Sequence, residues 1–105
     1  MSTGDTSHIS NELNSAIKLI GDDWILCIVG SLKAKELRFC ELQRAVTGIN
    51  PVTLTNRLKR LEKEKIIRRK EETLDKLSVV YELTEKGQGI LPIIKEIDQF
   101  AKKFL

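Results

Sequence analysis

One histidine and two cysteines are all that 105 residues hold of the side chains most used to bind transition metals. Cys27 and Cys40 are too few for a disulfide framework and lack ligand spacing, so neither a disulfide scaffold nor a zinc site is expected. His8 reads as a surface residue near the amino terminus. Aromatic residues make up 5% of the chain, so aliphatic side chains must build most of the core. The longest apolar run, Trp24 to Val29, is far too short to span a bilayer. Met1 to Ser10 has no basic stretch followed by an apolar one, and a cytoplasmic protein that does not engage membranes is therefore expected. Repeats, internal linkers and low-complexity runs are absent too. Glu12, Glu41, Asp22 and Asp23 read as capping or solvated carboxylates rather than as an acid–base pair. No Ser/His/Asp set, phosphate-binding glycine loop or metal cluster is present, so the chain is not expected to be an enzyme or to need a cofactor.

The chain does have a concentration of positive charge. Its net charge is +3, with 41% hydrophobic and 31% charged residues, a balance that suits one soluble globular domain. Between Pro51 and Lys70 lie Arg57, Lys59, Arg60, Lys63, Lys65, Arg68, Arg69 and Lys70, opposed only by Glu62 and Glu64. That segment carries +6, and the remainder must sum to −3. A basic stretch on a slightly acidic body suits phosphate binding, although a solvated helix face would have the same composition.

Residues 1–7 are small and polar and are expected to be a disordered tail, leaving 8–105 as a single domain. Ile9, Leu13, Ala16, Ile17 and Ile20 recur at helical spacing and predict a first helix, ended by Gly21 in the left-handed conformation. Asp22 or Asp23 caps a second helix from about Trp24 to Leu32, apolar nearly all round and therefore buried. Trp24 belongs to its core side, and Cys27 reads as an inert small hydrophobe. After a turn and a brief strand, a third helix runs roughly from Phe39 to Val46. Gly48 then supplies a turn, Asn50 a cap and Pro51 a first helical position, opening a fourth helix to about Lys65. Ile66 to Thr73 and Leu77 to Thr84 predict a hairpin with Thr73-Leu74-Asp75-Lys76 as its loop. Thr84 caps a last helix that Pro92 should bend.

The fold class implied is mainly α with a small β-hairpin wing, a winged helix-turn-helix. In such a pair the first helix braces the second, whose solvent face enters the major groove. On a wheel of about 100° per residue, Leu54, Leu58 and Leu61 fall together on the core side of the fourth helix. Val52, Asn56, Lys59 and Lys63 point away, with Thr53 and Arg60 on the shoulder. Short polar groups therefore lie toward base edges, and cations lie where the flanking phosphates pass. The candidate DNA-contacting residues are Pro51, Val52, Thr53, Thr55, Asn56, Arg57, Lys59, Arg60 and Lys63, with Lys76 on the wing. Cys40, near the start of the third helix where the dipole can lower a thiol pKa, is a candidate redox sensor.

These residues carry a family resemblance. Leu19-Ile20-Gly21-Asp22-Asp23-Trp24, Leu37-Arg38-Phe39-Cys40-Glu41-Leu42 and Gly48-Ile49-Asn50-Pro51 occur in the order found in one regulator family. Leu54-Thr55-Asn56-Arg57-Leu58-Lys59-Arg60-Leu61-Glu62 and Tyr81-Glu82-Leu83-Thr84-Glu85-Lys86-Gly87 continue the match. From about residue 11 onward the chain resembles the HxlR-type winged-helix regulators, a MarR-like family of bacteria and archaea. The resemblance implies a homodimer joined through helices from both chain ends, bound to operator DNA. Several such proteins answer to electrophiles or oxidants through a cysteine ahead of the first helix. Here that position falls at Asn11, so the usual switch is missing, and a small-molecule effector is an alternative. The basic residue common after the family's proline is Val52 here. The wing lacks the family's prolines and arginine, which leaves Lys76 as its contact.

The apolar residues of the last helix, Ile90, Ile93, Ile94, Ile97, Phe100 and Phe104, spread too widely for one core-facing stripe. With Ile9, Leu13 and Ile17 they predict a dimer interface. The function implied is a sequence-specific double-stranded DNA-binding transcription regulator. A dimeric repressor is expected, since there is little room for an activation domain. The alternatives are a winged-helix protein-interaction module and a non-specific DNA-binding protein.

Overall fold

The computed structural model describes residues 9–71 and 79–105. The amino-terminal tail, His8, the hairpin loop and Lys76 lie outside the described residues. Among the described residues six helices and three strands follow in the order α1 (Asn11–Ile20), α2 (Asp23–Ser31), β1 (Leu37–Arg38), α3 (Phe39–Ala45), α4 (Pro51–Lys63), β2 (Ile67–Glu71), β3 (Val79–Leu83), α5 (Glu85–Gln88) and α6 (Leu91–Phe104). The strands form one antiparallel sheet in the order β1-β3-β2, with Leu37 opposite Tyr81 and Arg69 opposite Tyr81 on the other side. The brief strand expected before α3 thus completes the wing's sheet.

Ile25, Ile28 and Val29 of α2, Leu42 of α3, Leu54, Leu58 and Leu61 of α4, and Ile66 and Ile67 are buried together. The core therefore sits where α2, α3 and α4 meet the base of the wing. Helix caps follow from local chemistry. Ser10 Oγ accepts the Leu13 N–H at 3.0 Å, and one Asp22 oxygen accepts the N–H groups of Trp24 and Ile25 at 2.9 and 3.2 Å. Glu41 reaches back to the Arg38 N–H at 2.8 Å at the start of α3.

Five expectations need correction. Helix α1 begins at Asn11, so Ile9 precedes it. Gly21 is right-handed, at φ −72°, rather than left-handed. Its hydrogen instead faces the Ile17 carbonyl, where a Cβ would stand 2.7 Å from the oxygen. Helix α2 is buried on one side only, and Cys27 is exposed rather than part of the core. The fourth helix ends at Lys63, with Lys65 left-handed at φ 62°. The last helix is two. Helix α5 ends at Gln88 with Gly89 as its cap, and Pro92 lies in the first turn of α6, where its missing N–H has no intrahelical partner to lose. It starts a helix and bends none.

Candidate nucleic-acid interface

Helices α3 and α4 are joined by a turn whose geometry the sequence dictates. Gly48 has φ +87°, a conformation that costs glycine little and other residues more. Asn50 Oδ1 then accepts the Thr53 N–H at 2.8 Å, and Pro51 occupies the first turn of α4. With Leu54, Leu58 and Leu61 buried, the opposite face of α4 is fixed outward. Pro51, Val52, Asn56, Lys59 and Lys63 are all exposed on it, and Thr53 and Thr55 are half-buried at its edges. A shallow hollow of about 220 Å³ lies among Pro51, Val52, Thr55 and Asn56.

Two arginines from the candidate set reach neighbouring helices. Arg57 Nε donates to Asp22 at 3.0 Å, and Arg60 reaches the Lys18 carbonyl at 3.4 Å. Asp22 is thus both the cap of α2 and the anchor of Arg57, and it ties α4 to α2. Burial opposes the Asp22 charge, but hydrogen bonds from Arg57, Trp24 and Ile25 outweigh it and hold the carboxyl below the usual aspartate range. Sequence pattern gives no sign of this contact, because its partners are far apart in the chain.

Asp22→Ala is expected to cost about 2 kcal/mol, roughly half from the lost cap and half from the partly screened ion pair. Asp22→Asn keeps the cap acceptor and should cost about 1 kcal/mol. Because the folded pKa is lowered, this stabilisation is complete above the unfolded value, about pH 4, and fades as pH falls through the folded value. Chemical denaturation of wild type and Asp22→Ala at neutral pH and near pH 3 checks this, with the gap narrowing in acid.

The cations of the wing are also partly committed. Arg68 pairs with Glu82 at 2.8 Å, and Lys70 with Glu36 at 2.9 Å and Glu82 at 3.5 Å. The register places Arg68 opposite Glu82, so alternating charges run across the open face of the sheet. The Lys70 ammonium is held above its ordinary pKa, first by its hydrogen bond to Glu36. Lys59, Lys63, Lys65 and Arg69 are exposed and enter no ion pair among the described residues. Four uncommitted cations thus surround the outer half of α4 and the base of the wing.

A clamp holds the far end of α4. Thr84 Oγ1 donates to the Lys65 carbonyl at 2.7 Å and accepts the Gly87 N–H at 3.1 Å. Lys86 Nζ donates to the Glu64 carbonyl at 2.7 Å, placing a cation at the negative end of the helix dipole. Gly87 abuts the Ile66 carbonyl so closely that a Cβ would fall 2.1 Å from its oxygen. The Thr84-Glu85-Lys86-Gly87 run therefore fixes where α4 gives way to the wing.

Cys40 is exposed in the first turn of α3. Among the described residues no three His, Cys, Asp or Glu side chains gather as a metal site, and no helix is long and apolar enough to cross a membrane. A separate hollow of about 660 Å³ lies between α2 and α6, lined by Gly30, Lys33, Leu91, Pro92, Ile94, Lys95 and Asp98.

Residues 19–105 match the family model described as HxlR-like helix-turn-helix. The HTH-type transcriptional regulator YodB of Bacillus subtilis is 31% identical over 93 residues, covering 89% of this chain and 83% of YodB. Its reduced form superposes with a TM-score of 0.83 at 30% identity, over 91% of this chain and 94% of that one. The uncharacterized HTH-type transcriptional regulator BH0655 of Halalkalibacterium halodurans is 35% identical, covering 83% of this chain and 78% of that protein. A MarR-family structure from Porphyromonas gingivalis W83 matches at TM-score 0.82 and 32% identity, over 92% of this chain and 98% of that one.

Proposed function

The chain belongs to the HxlR-like helix-turn-helix family and is a DNA-binding transcription regulator, not an enzyme, and from that premise we propose that it reads a specific double-stranded sequence as a homodimeric repressor. The observation that carries this reading is the outward face of α4, where Val52 and Asn56 precede Lys59 and Lys63. Asn56 can form the paired hydrogen bonds that recognise adenine, and Thr53 and Thr55 can reach neighbouring base edges. Lys59 and Lys63 neutralise phosphates and set register, with Lys65 and Arg69 extending the track toward the wing. Pro51 packs beside the entry of the helix into the groove, and Lys76 is the proposed wing contact. Arg57 and Arg60 act from behind, as positioning residues that hold α4 to α2 and α1.

The dimer is supported by what the ends of the chain leave uncovered. Neither α1 nor the fourteen-residue α6 buries a single side chain within one protomer. Leu13 and Ile17 are about half exposed, Phe100 is 57% exposed and Phe104 64%. The two phenylalanine rings meet at a tilt of 43°, with centroids 5.2 Å apart. A patch of this kind marks an interface, and a two-fold axis through it would present two α4 helices to successive major-groove faces, ~34 Å apart. Light scattering should return twice the 12.0 kDa chain mass at micromolar concentration, and Phe100→Glu should return one chain. A wild-type mass of one chain would contradict the dimer.

Repression follows from occupancy of a promoter. Among the described residues every large exposed apolar side chain except Val52 lies at the chain ends, where the proposed dimer would cover it. The hollow between α2 and α6 is the proposed seat of an effector, since its two walls belong to the core of the reading head and to the dimer helix.

The competing reading is an interaction module whose basic helix pairs with an acidic partner. Fluorescence anisotropy of labelled duplex against a labelled acidic polypeptide separates the two. The regulator reading predicts preferred duplex binding that weakens steeply with salt, while tighter binding of the polypeptide would reverse the assignment.

A further inference from the structure

Val52 is the one large apolar side chain that is exposed away from the chain ends among the described residues. It is 70% exposed, contributes nothing to the core and sits in the first turn of α4, where a branched side chain brings no helical advantage. Folding gives no reason for it. Its surroundings offer one, because Val52 and Asn56 are four residues apart on one face and share the shallow hollow with Pro51 and Thr55. The hollow pairs an apolar wall with a carboxamide that can both donate and accept.

In the major groove one base pair presents that same pairing of chemistries. Thymine carries a 5-methyl group, and its partner adenine offers N7 and the N6 amino group. We infer that Val52 is a specificity-determining residue that packs on a thymine 5-methyl group, within one base-pair step of the adenine read by Asn56. This rests on the reading of α4 as the recognition helix. It makes the operator half-site a T·A-containing one at the position addressed by the start of α4. A basic residue at position 52 would favour phosphate or guanine, so valine gives this chain a preference of its own.

The test removes a single methyl group. The full chain first selects bound sites from a random duplex pool. Each enriched thymine is then replaced in turn by deoxyuridine, which keeps every hydrogen-bonding group and lacks only the methyl. One thymine per half-site should respond, with binding weakened about fourfold, the effect of one buried methyl-sized group. It should lie within one step of the adenine whose identity relaxes in Asn56→Ala. Val52→Ser, at an exposed position that leaves the fold intact, should bind the thymine and uracil duplexes equally. Equal binding of both by wild type at every enriched position would overturn the role of Val52 and leave the regulator reading standing. A pool with no enriched sequence would instead remove the regulator reading, and this inference with it.

Discussion

Replacing Gly87 with alanine should lower the midpoint of thermal unfolding by about 12 to 24 °C. A Cβ at position 87 would stand 2.1 Å from the Ile66 carbonyl oxygen, inside any tolerable contact distance. The obstacle is backbone, so no flexible side chain can move aside. That carbonyl also accepts the Thr84 N–H at 3.0 Å and lies within 3.1 Å of Thr84 Oγ1, so displacing it disturbs those contacts together. Overpacking of this kind costs about 3 kcal/mol, and in a domain near this size each kcal/mol moves the midpoint by about 4–8 °C. Circular dichroism melts of the two proteins check it. Because the same junction orients the carboxyl end of α4, duplex affinity of the folded variant should fall as well. An unchanged midpoint would mean that the α4–β2 junction yields freely, contrary to its network of bonds.

Asn56→Ala should weaken binding to the selected operator by about 30-fold per half-site and relax the preferred base at one position in each. A bidentate contact to adenine discriminates by about 1–3 kcal/mol, and a symmetric dimer would make it twice, so the whole site should lose about a thousandfold. Lys59→Ala offers the contrast. Loss of a phosphate contact should weaken all duplexes evenly and reduce the salt slope by about one for each copy. Both variants alter exposed side chains, so their melting midpoints should match wild type. Salt-dependent anisotropy with operator and scrambled duplexes distinguishes the two patterns. If Asn56→Ala weakened both duplexes equally, Asn56 would not be the reading residue.

The parts of the fold legible in the sequence are those set by local chemistry. Leu54, Leu58 and Leu61 announced the buried face of α4 by spacing alone, and Gly48, Asn50 and Pro51 announced its start. Its end was misread because the usual glycine is missing. The Ile66 N–H reaches the Leu61 carbonyl and the Lys65 N–H the Glu62 carbonyl, both at 2.9 Å, with Lys65 taking the left-handed place. The only available signal was the apolar pair Leu61 and Ile66, which accompanies this helix ending. Gly21 was misread for the opposite reason, since glycine there serves close packing against Ile17 rather than a left-handed turn.

The outward cations of the site were legible in part. Charge counting found the basic segment, but it could not show that Arg57, Arg68 and Lys70 are paired with Asp22, Glu82 and Glu36. Those acids lie outside the segment, and only the fold brings them in. Cys27 looked buried because it stands in an apolar run, yet its helix packs on one side and leaves it exposed. The wide spread of apolar residues on α6 was visible in sequence, and the uncovered face of that helix carries Ile93, Ile97, Phe100 and Phe104.

The central claim is that the face of α4 reads sequence rather than merely charge. Its most direct test is the affinity of the full chain for its selected duplex and for a scrambled duplex of equal composition, measured across salt. Preference for an inverted repeat that persists as salt rises, while both affinities fall, is the predicted result. Equal affinities at every salt concentration would contradict it, leaving a basic helix that binds DNA without reading it.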